Sequence, residues 1–435
     1  MLRRTTLKLM ATLTAASMFP LGLPVGALAE MPATVDKPVT ISFYNYNLAS
    51  AGIGSEATKE LIAGFEKKFP NVKVETIAVP SNEIINRVQA DIVAGKQPDV
   101  AQLTFRDLIF IASDLGGNAL EDMVKPAELK EHLAGMIPKG LELGTVDGKT
   151  YGLAYTFSTP VLYYNGDLFK QAGLDPNNPP KTWADVNIAG KAIKEKTGKN
   201  GFFPGAYGPS DGTFVYQAIV MSNGGKVRDG NKLTYADKNA AEAVKMLRDM
   251  VDSGAHARID PASGSDTFAA GNLGMFVYTT AVLGSYKKAA QGKFDLRIAP
   301  MPSFGEKPTA PTNSGSALFV FSKDPAKQRA AYELLKYLTS KEAYTIITSK
   351  IGYLPLRLDI VDDPNYLGPW VKENPMFRAN LEQLNRLTAN VAFPGPNYRQ
   401  VEKMMMDSVR EAVFGKGDPI ATLKAAQDQG QDLMP

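Results

Sequence analysis

The stretch Val39-Thr40-Ile41-Ser42-Phe43-Tyr44, read with residues 72–79 and Val100-Ala101-Gln102-Leu103, decides the fold. Each piece alternates or runs apolar over the length of a strand, and two helical patterns lie between them. The first helix is expected to take Ser55 as N-cap, to carry Leu61, Ile62, Phe65 and Phe69 on one face, and to stop at Pro70-Asn71. The second is capped near Ser81, carries Ile84, Ile85, Val88 and Ile92, and is closed by Gly95. Strand, helix, strand, helix, strand at this spacing predicts parallel strands joined by crossover helices. In open sheets of this kind ligands lie beyond the carboxyl ends of the strands. That rule marks the loops after Phe43, Val79, Leu103 and Tyr155 as walls of a crevice.

Further along, a turn at Asp147-Gly148-Lys149 precedes an extended region over residues 151–165, and a proline-rich segment at 175–181 feeds a helix capped at Thr182. Amphipathic patterns predict helices over 239–252, 326–339 and 399–413, separated by Gly/Pro-rich connections. A chain of 435 residues is long enough for two or three domains. The expected architecture is α/β with two lobes, each a mostly parallel sheet flanked by helices, the chain crossing between them more than once. Residues 36–150 with 312–340 are assigned to one lobe, and 151–311 with 341–435 to the other.

Composition narrows the class. At 44% hydrophobic and 21% charged residues the chain is an ordinary globular protein, and zero cysteines exclude disulfides, thiolate metal sites and a lipid-modified cysteine. Arg3, Arg4 and Lys8, an apolar stretch over 9–23 broken by Pro20 and Gly22, and Ala27-Leu28-Ala29 give residues 1–29 the layout of a signal peptide cut before Glu30. The Arg3-Arg4 pair also suits a twin-arginine export signal. Without that segment the chain keeps 45 basic and 45 acidic residues, so its net charge falls from +3 to zero. Neither nucleic acid nor an anionic membrane surface has an electrostatic reason to bind it. A soluble periplasmic monomer is expected.

Enzyme motifs are approached without being met. Gly148-Lys149-Thr150 lacks the glycine a phosphate-binding loop needs at 143, where Leu143 stands. Ser285-Tyr286-Lys287-Lys288 and Lys196-Thr197-Gly198 match penicillin-binding motifs in reversed chain order. His132 and His256 fit no metal-ligand spacing and read as surface or capping residues. Glu83, Asp107 and Asp211 all fall in crevice loops, and two of them would serve a secreted glycoside hydrolase.

Three markers carry a family resemblance: Gly95-Lys96-Gln97-Pro98-Asp99-Val100, the long run from Ser158-Thr159-Pro160 through Tyr163-Tyr164-Asn165-Gly166 to Pro179-Pro180-Lys181-Thr182-Trp183, and Ile351-Gly352-Tyr353-Leu354-Pro355. With these the chain resembles the extracellular solute-binding proteins of sugar-type ABC importers, nearest to the glycerol-3-phosphate-binding branch. The resemblance implies a type II-like periplasmic binding protein whose two lobes close on one solute and then dock on permease subunits in the inner membrane. It implies no chemistry: no catalytic residue, cofactor or metal. Of that branch's binding positions, Ser158, Gly315 with Ser316 beside it, and Tyr353 are retained, and its mid-chain serine is approximated by Thr279 or Thr280. Others depart, since Asn82 and Phe105 replace a tyrosine and a glutamate, and the phosphate-holding arginine falls at Pro394-Gly395-Pro396, with Arg399 a few residues away.

Loss of that arginine removes a bidentate phosphate partner, which puts glycerol 3-phosphate or a glycerophosphodiester second and a neutral sugar or polyol first. Tyr44, Tyr46, Phe105, Tyr207 and Tyr353 are expected to stack on the sugar, and Asn45, Asn82, Glu83, Arg106 and Asp211 to bond its hydroxyls. A charged solute anchored by Arg106 or Arg399 is the third alternative.

Overall fold

The three strands quoted first form one side of a five-stranded sheet. A computed structural model describes residues 30–49, 52–208 and 212–435. The expected signal segment 1–29 and Asp211 lie outside the described residues. Strand β1 (Val39–Asn45) pairs in parallel with β2 (Val72–Ala78) and β3 (Val100–Thr104). Helix α1 (Ile53–Lys68) buries Leu61, Ile62 and Phe65, and α2 (Ile84–Val93) buries Ile84, Ile85 and Val88, as their stripes predict. The start of α1 differs from expectation. Gly52, at φ +94°, stands at the N-cap, and Ser55 is buried inside the first turn.

The remaining strands of the two main sheets are β4 (Gly152–Ser158), β5 (Pro160–Asn165), β6 (Asn200–Pro204), β7 (Leu273–Thr279), β8 (Leu296–Pro300) and β9 (Ser314–Val320). The first sheet has the order β2-β1-β3-β9-β4, and β9 runs antiparallel to both its neighbours. The second has the order β8-β5-β7-β6, with β5 antiparallel to its neighbours and β7 parallel to β6. One reversed strand in each sheet is the departure from an all-parallel pattern.

The longer helices that follow are α3 (Trp183–Thr197), α4 (Thr213–Ser222), α5 (Lys238–Asp252), α6 (Pro325–Leu338), α7 (Tyr398–Phe414) and α8 (Pro419–Gln431). Thr182 caps α3 through a reciprocal box with Asp185, and Trp183 is buried behind it. Helix α4 packs on β5 and β7 of the second sheet, α5 packs on α4, and α7 packs on α5.

The extended region 151–165 is two strands in different sheets. Thr159 separates them, and Pro160, having no N–H, cannot extend the first sheet's ladder. The chain returns to the first sheet through residues 301–313. A third passage follows α6, which packs on β1. Helix Lys341–Ile346 and the turn Ile347–Ile351 pack on α1, Leu354 bridges Phe157, and helix Arg378–Leu381 packs on β8. Residues 152–158 and 341–354, assigned with the second lobe from sequence, therefore pack with the first sheet.

Both histidines correct the surface reading. His132 is buried, its Nδ1 3.0 Å from the Tyr332 hydroxyl and its Nε2 2.9 Å from Thr339 Oγ1. His256 is buried among Phe202, Phe203, Tyr207 and Phe414. Its Nδ1 lies 2.8 Å from the Ala257 carbonyl, which can only accept, so Nδ1 carries the proton and Nε2 accepts from the Tyr207 hydroxyl at 2.6 Å.

Candidate functional site

A cavity of about 320 Å³ opens where the carboxyl ends of β1, β2, β3 and β4 face the end of β7. This volume sits near the small end of sites for small molecules. Five aromatic rings line it, from Tyr46, Phe105 and Tyr353 on the first-sheet side and Phe214 and Tyr278 on the second. Hydroxyls and amides fill the spaces between them. Ser158 ends β4 and accepts from Thr279 Oγ1, at the end of β7, at 2.6 Å, so the two sheets touch at the cavity floor.

Gly315 lies in the same floor at φ +103°, just before β9 shifts register against β4 between Ser316 and Ala317. A Cβ placed there would stand 1.9 Å from the Thr156 carbonyl oxygen, so only glycine lets the two backbones approach. Beneath it, Ser316 is buried in a network with Thr156 Oγ1 at 2.6 Å and Gln102 Nε2 at 2.8 Å. The Tyr46 hydroxyl reaches the edge of that network, 3.4 Å from Thr156 Oγ1.

Sequence-picked residues divide sharply. Asn82, Phe105, Arg106, Ser158, Thr279, Gly315 and Tyr353 line the cavity. Tyr44 does not; its hydroxyl donates to Asp91 at 2.7 Å, and burial with that carboxylate pushes the phenol up to about 12. Asn45 is buried, its Oδ1 accepting from the Leu48 amide at 3.0 Å. Glu83 is exposed at the start of α2, and Tyr207 belongs to the His256 core cluster. Thr280 is buried behind Thr279, its amide bonded to the Thr159 carbonyl.

Charge enters from one side only. Among the described lining residues Arg106 is the one cation and Glu402, on α7, the one carboxylate. Glu402 Oε1 accepts from Thr213 Oγ1 at 3.0 Å, while Oε2 stands 3.5 Å from Arg106 Nη1. Burial pushes the Glu402 carboxyl above the usual range, against the pull of Arg106 and Thr213. Arg399 turns away from the cavity. Its Nη2 lies 3.4 Å from Asp107 Oδ1, and its Nε donates to the Tyr398 hydroxyl at 3.1 Å. Asp107 is buried and accepts also from Tyr398 at 2.5 Å and Thr104 Oγ1 at 2.6 Å.

Two lining residues carry a buried donor with no protein partner among the described residues, Arg106 Nε and Asn313 Nδ2. Asn313 is held by its other end, Oδ1 accepting from the Asn390 amide at 2.7 Å. Sequence reading passed over Glu402, Asn313 and Phe214. Glu402 sits among Val401, Met405 and Met406 on the buried face of α7, and a single acid on such a face was the available signal. Among the described residues no cluster of three His, Asp or Glu side chains is placed to hold a metal.

The family described as bacterial extracellular solute-binding protein matches residues 60–379. The chain belongs to this family. A relative, the sn-glycerol-3-phosphate-binding periplasmic protein UgpB of Escherichia coli O1:K1 / APEC, is 24% identical over 436 residues, spanning 96% of this chain and 98% of its own length. The cyclic alpha-maltosyl-1,6-maltose binding protein of Arthrobacter globiformis matches with a TM-score of 0.78 at 23% identity, over 91% of this chain and 99% of that one. UgpB of Mycobacterium tuberculosis, in complex with glycerophosphocholine, matches with a TM-score of 0.78 at 23% identity, over 91% and 98%. This solute-binding protein shares their α/β fold. No helix among its described residues is long and apolar enough to cross a membrane.

Proposed function

We propose that this solute-binding protein is the periplasmic receptor of an ABC importer and that it captures a neutral sugar or polyol in the cavity between its sheets. The observation that carries this reading is the cavity wall itself: five aromatic rings interleaved with hydroxyls and amides, and one cation matched by one carboxylate. Aromatic faces suit the apolar C–H faces of a pyranose, and the amides and hydroxyls suit its rim. The two sheets are the cores of two lobes, joined at Thr159, through residues 301–313 and after α6. The solute bridges them and favours the closed arrangement. Residues 1–29 direct export and are removed. Binding without catalysis fits the carboxylates, since Asp107 is tied to Thr104, Tyr398 and Arg399.

A glycerophosphodiester is the second reading, favoured by one observation: Arg106 Nε is a buried, unpartnered cationic donor at the cavity wall. A melting-temperature screen of the mature protein separates the two. Monosaccharides, short oligosaccharides, polyols, glycerol 3-phosphate and glycerophosphocholine form the panel. A ligand at 100 times its Kd stabilises by about 2.7 kcal/mol. A response to a neutral saccharide or polyol is expected, and no response to any of them sinks the first reading.

A further inference from the structure

Between the end of β3 and the first turns of α7 stand two cations and two carboxylates, Arg106 with Glu402 and Arg399 with Asp107. The pairs are not equivalent. Asp107 accepts from three protein donors, and Arg399 is held by the Tyr398 hydroxyl as well. Arg106 and Glu402 both line the cavity, 3.5 Å apart, longer than a good N–H···O bond, and Arg106 Nε has no protein partner among the described residues. Glu402 Oε1 is occupied by Thr213, which leaves Oε2 as the acceptor aimed at the gap. A buried donor and acceptor of opposite charge, set slightly too far apart for each other, are a socket for a group that donates and accepts at once. A hydroxyl does both, whereas the oxygens of a fully ionised phosphate ester only accept.

We propose that Arg106 and Glu402 act together as a hydroxyl-specific subsite, with Glu402 the residue that turns away phosphate esters. This rests on the reading of the cavity as the solute site. One hydroxyl, or a vicinal pair, accepts from Arg106 and donates to Glu402 Oε2, and the local charge stays balanced. An anionic ester would satisfy Arg106 but place like charge against a buried carboxylate, which is strongly unfavourable. Removing the Glu402 charge leaves Arg106 free to take the anion.

The test is isothermal titration of the full mature protein, Glu402→Gln, Glu402→Ala and the double variant Arg106→Gln/Glu402→Gln, with inorganic phosphate and sn-glycerol 3-phosphate as probes. Far-ultraviolet circular dichroism and the unfolding transition confirm that each variant is folded. Expected is a gain of about tenfold or more in affinity for both probes in the two Glu402 variants, lost again in the double variant. Wild-type affinity for glycerol 3-phosphate equal to that of the folded Glu402 variants would overturn the proposal, as would no gain in either. The neutral panel is a separate readout. A phosphate gain with no neutral ligand found leaves this subsite standing while the sugar reading fails.

Discussion

His132 and His256 show what single buried groups contribute. Burial holds their native pKa values at about 3 and about 4, below the 6.5 of an unperturbed imidazole, with nearby Arg357 and Lys336 adding to the effect at His132. Between those values the unfolded chain binds protons that the folded chain refuses. The stability they preserve is present in full above pH 6.5 and is lost as pH falls towards 4 and then 3. Glu402 works in the opposite sense, because its carboxyl is held above the usual range and its share is lost as pH rises. Chemical unfolding at a series of pH values should therefore show the histidine slope, roughly 3–5 kcal/mol for each at the acid end, and His132→Gln/His256→Gln should flatten it. A slope unchanged in the double variant would refute the assignment. Gly315 makes a second prediction at this scale. Gly315→Ala forces a side chain into the Thr156 carbonyl and should cost ~2 kcal/mol or more in urea unfolding, with loss of solute binding.

Among the elements, α7 carries the second half of the cavity's charge and is fixed to the first sheet by its opening residues. Tyr398→Phe removes a hydroxyl that donates to buried Asp107, and should destabilise by about 1–3 kcal/mol while leaving the secondary structure unchanged. At α3 the reciprocal cap is exposed, so Thr182→Ala should cost only about 1 kcal/mol. Elements defined by local pattern were legible in the sequence: β1, α1, β2, α2 and β3 follow their apolar periodicity, and Thr182 declares its helix. The run 151–165 was not, because β4 and β5 are equally apolar and the change of sheet takes place at one residue, Thr159. Site residues behaved likewise. Phe105, Arg106 and Ser158 follow from strand ends, whereas Tyr44 and Tyr207 are aromatics that face the core. Glu402 is brought to the cavity by packing between residues 296 apart, which no local pattern announces.

For the whole molecule, paired charge around the cavity and a balanced mature chain imply that solute capture is nearly indifferent to salt. Affinity for a neutral ligand should change less than about twofold between 0.05 and 0.5 M salt, whereas capture through an unpaired arginine would weaken several-fold. Titrations at the two ionic strengths decide between them. The place of β9 has a consequence of another kind, in the order of assembly. That strand fills the middle of the first sheet, and Ser316 joins the same buried network as Gln102, 214 residues earlier in the chain. Until β9 arrives, β3 has an open flank and β4 has nothing to pair with. The first sheet cannot close during synthesis while its N-terminal strands wait, and contacts at such long separation fold slowly. A ribosome-bound chain stopped before residue 314 should remain protease-sensitive throughout β1 to β4, and one extended past α6 should gain protection in a single step.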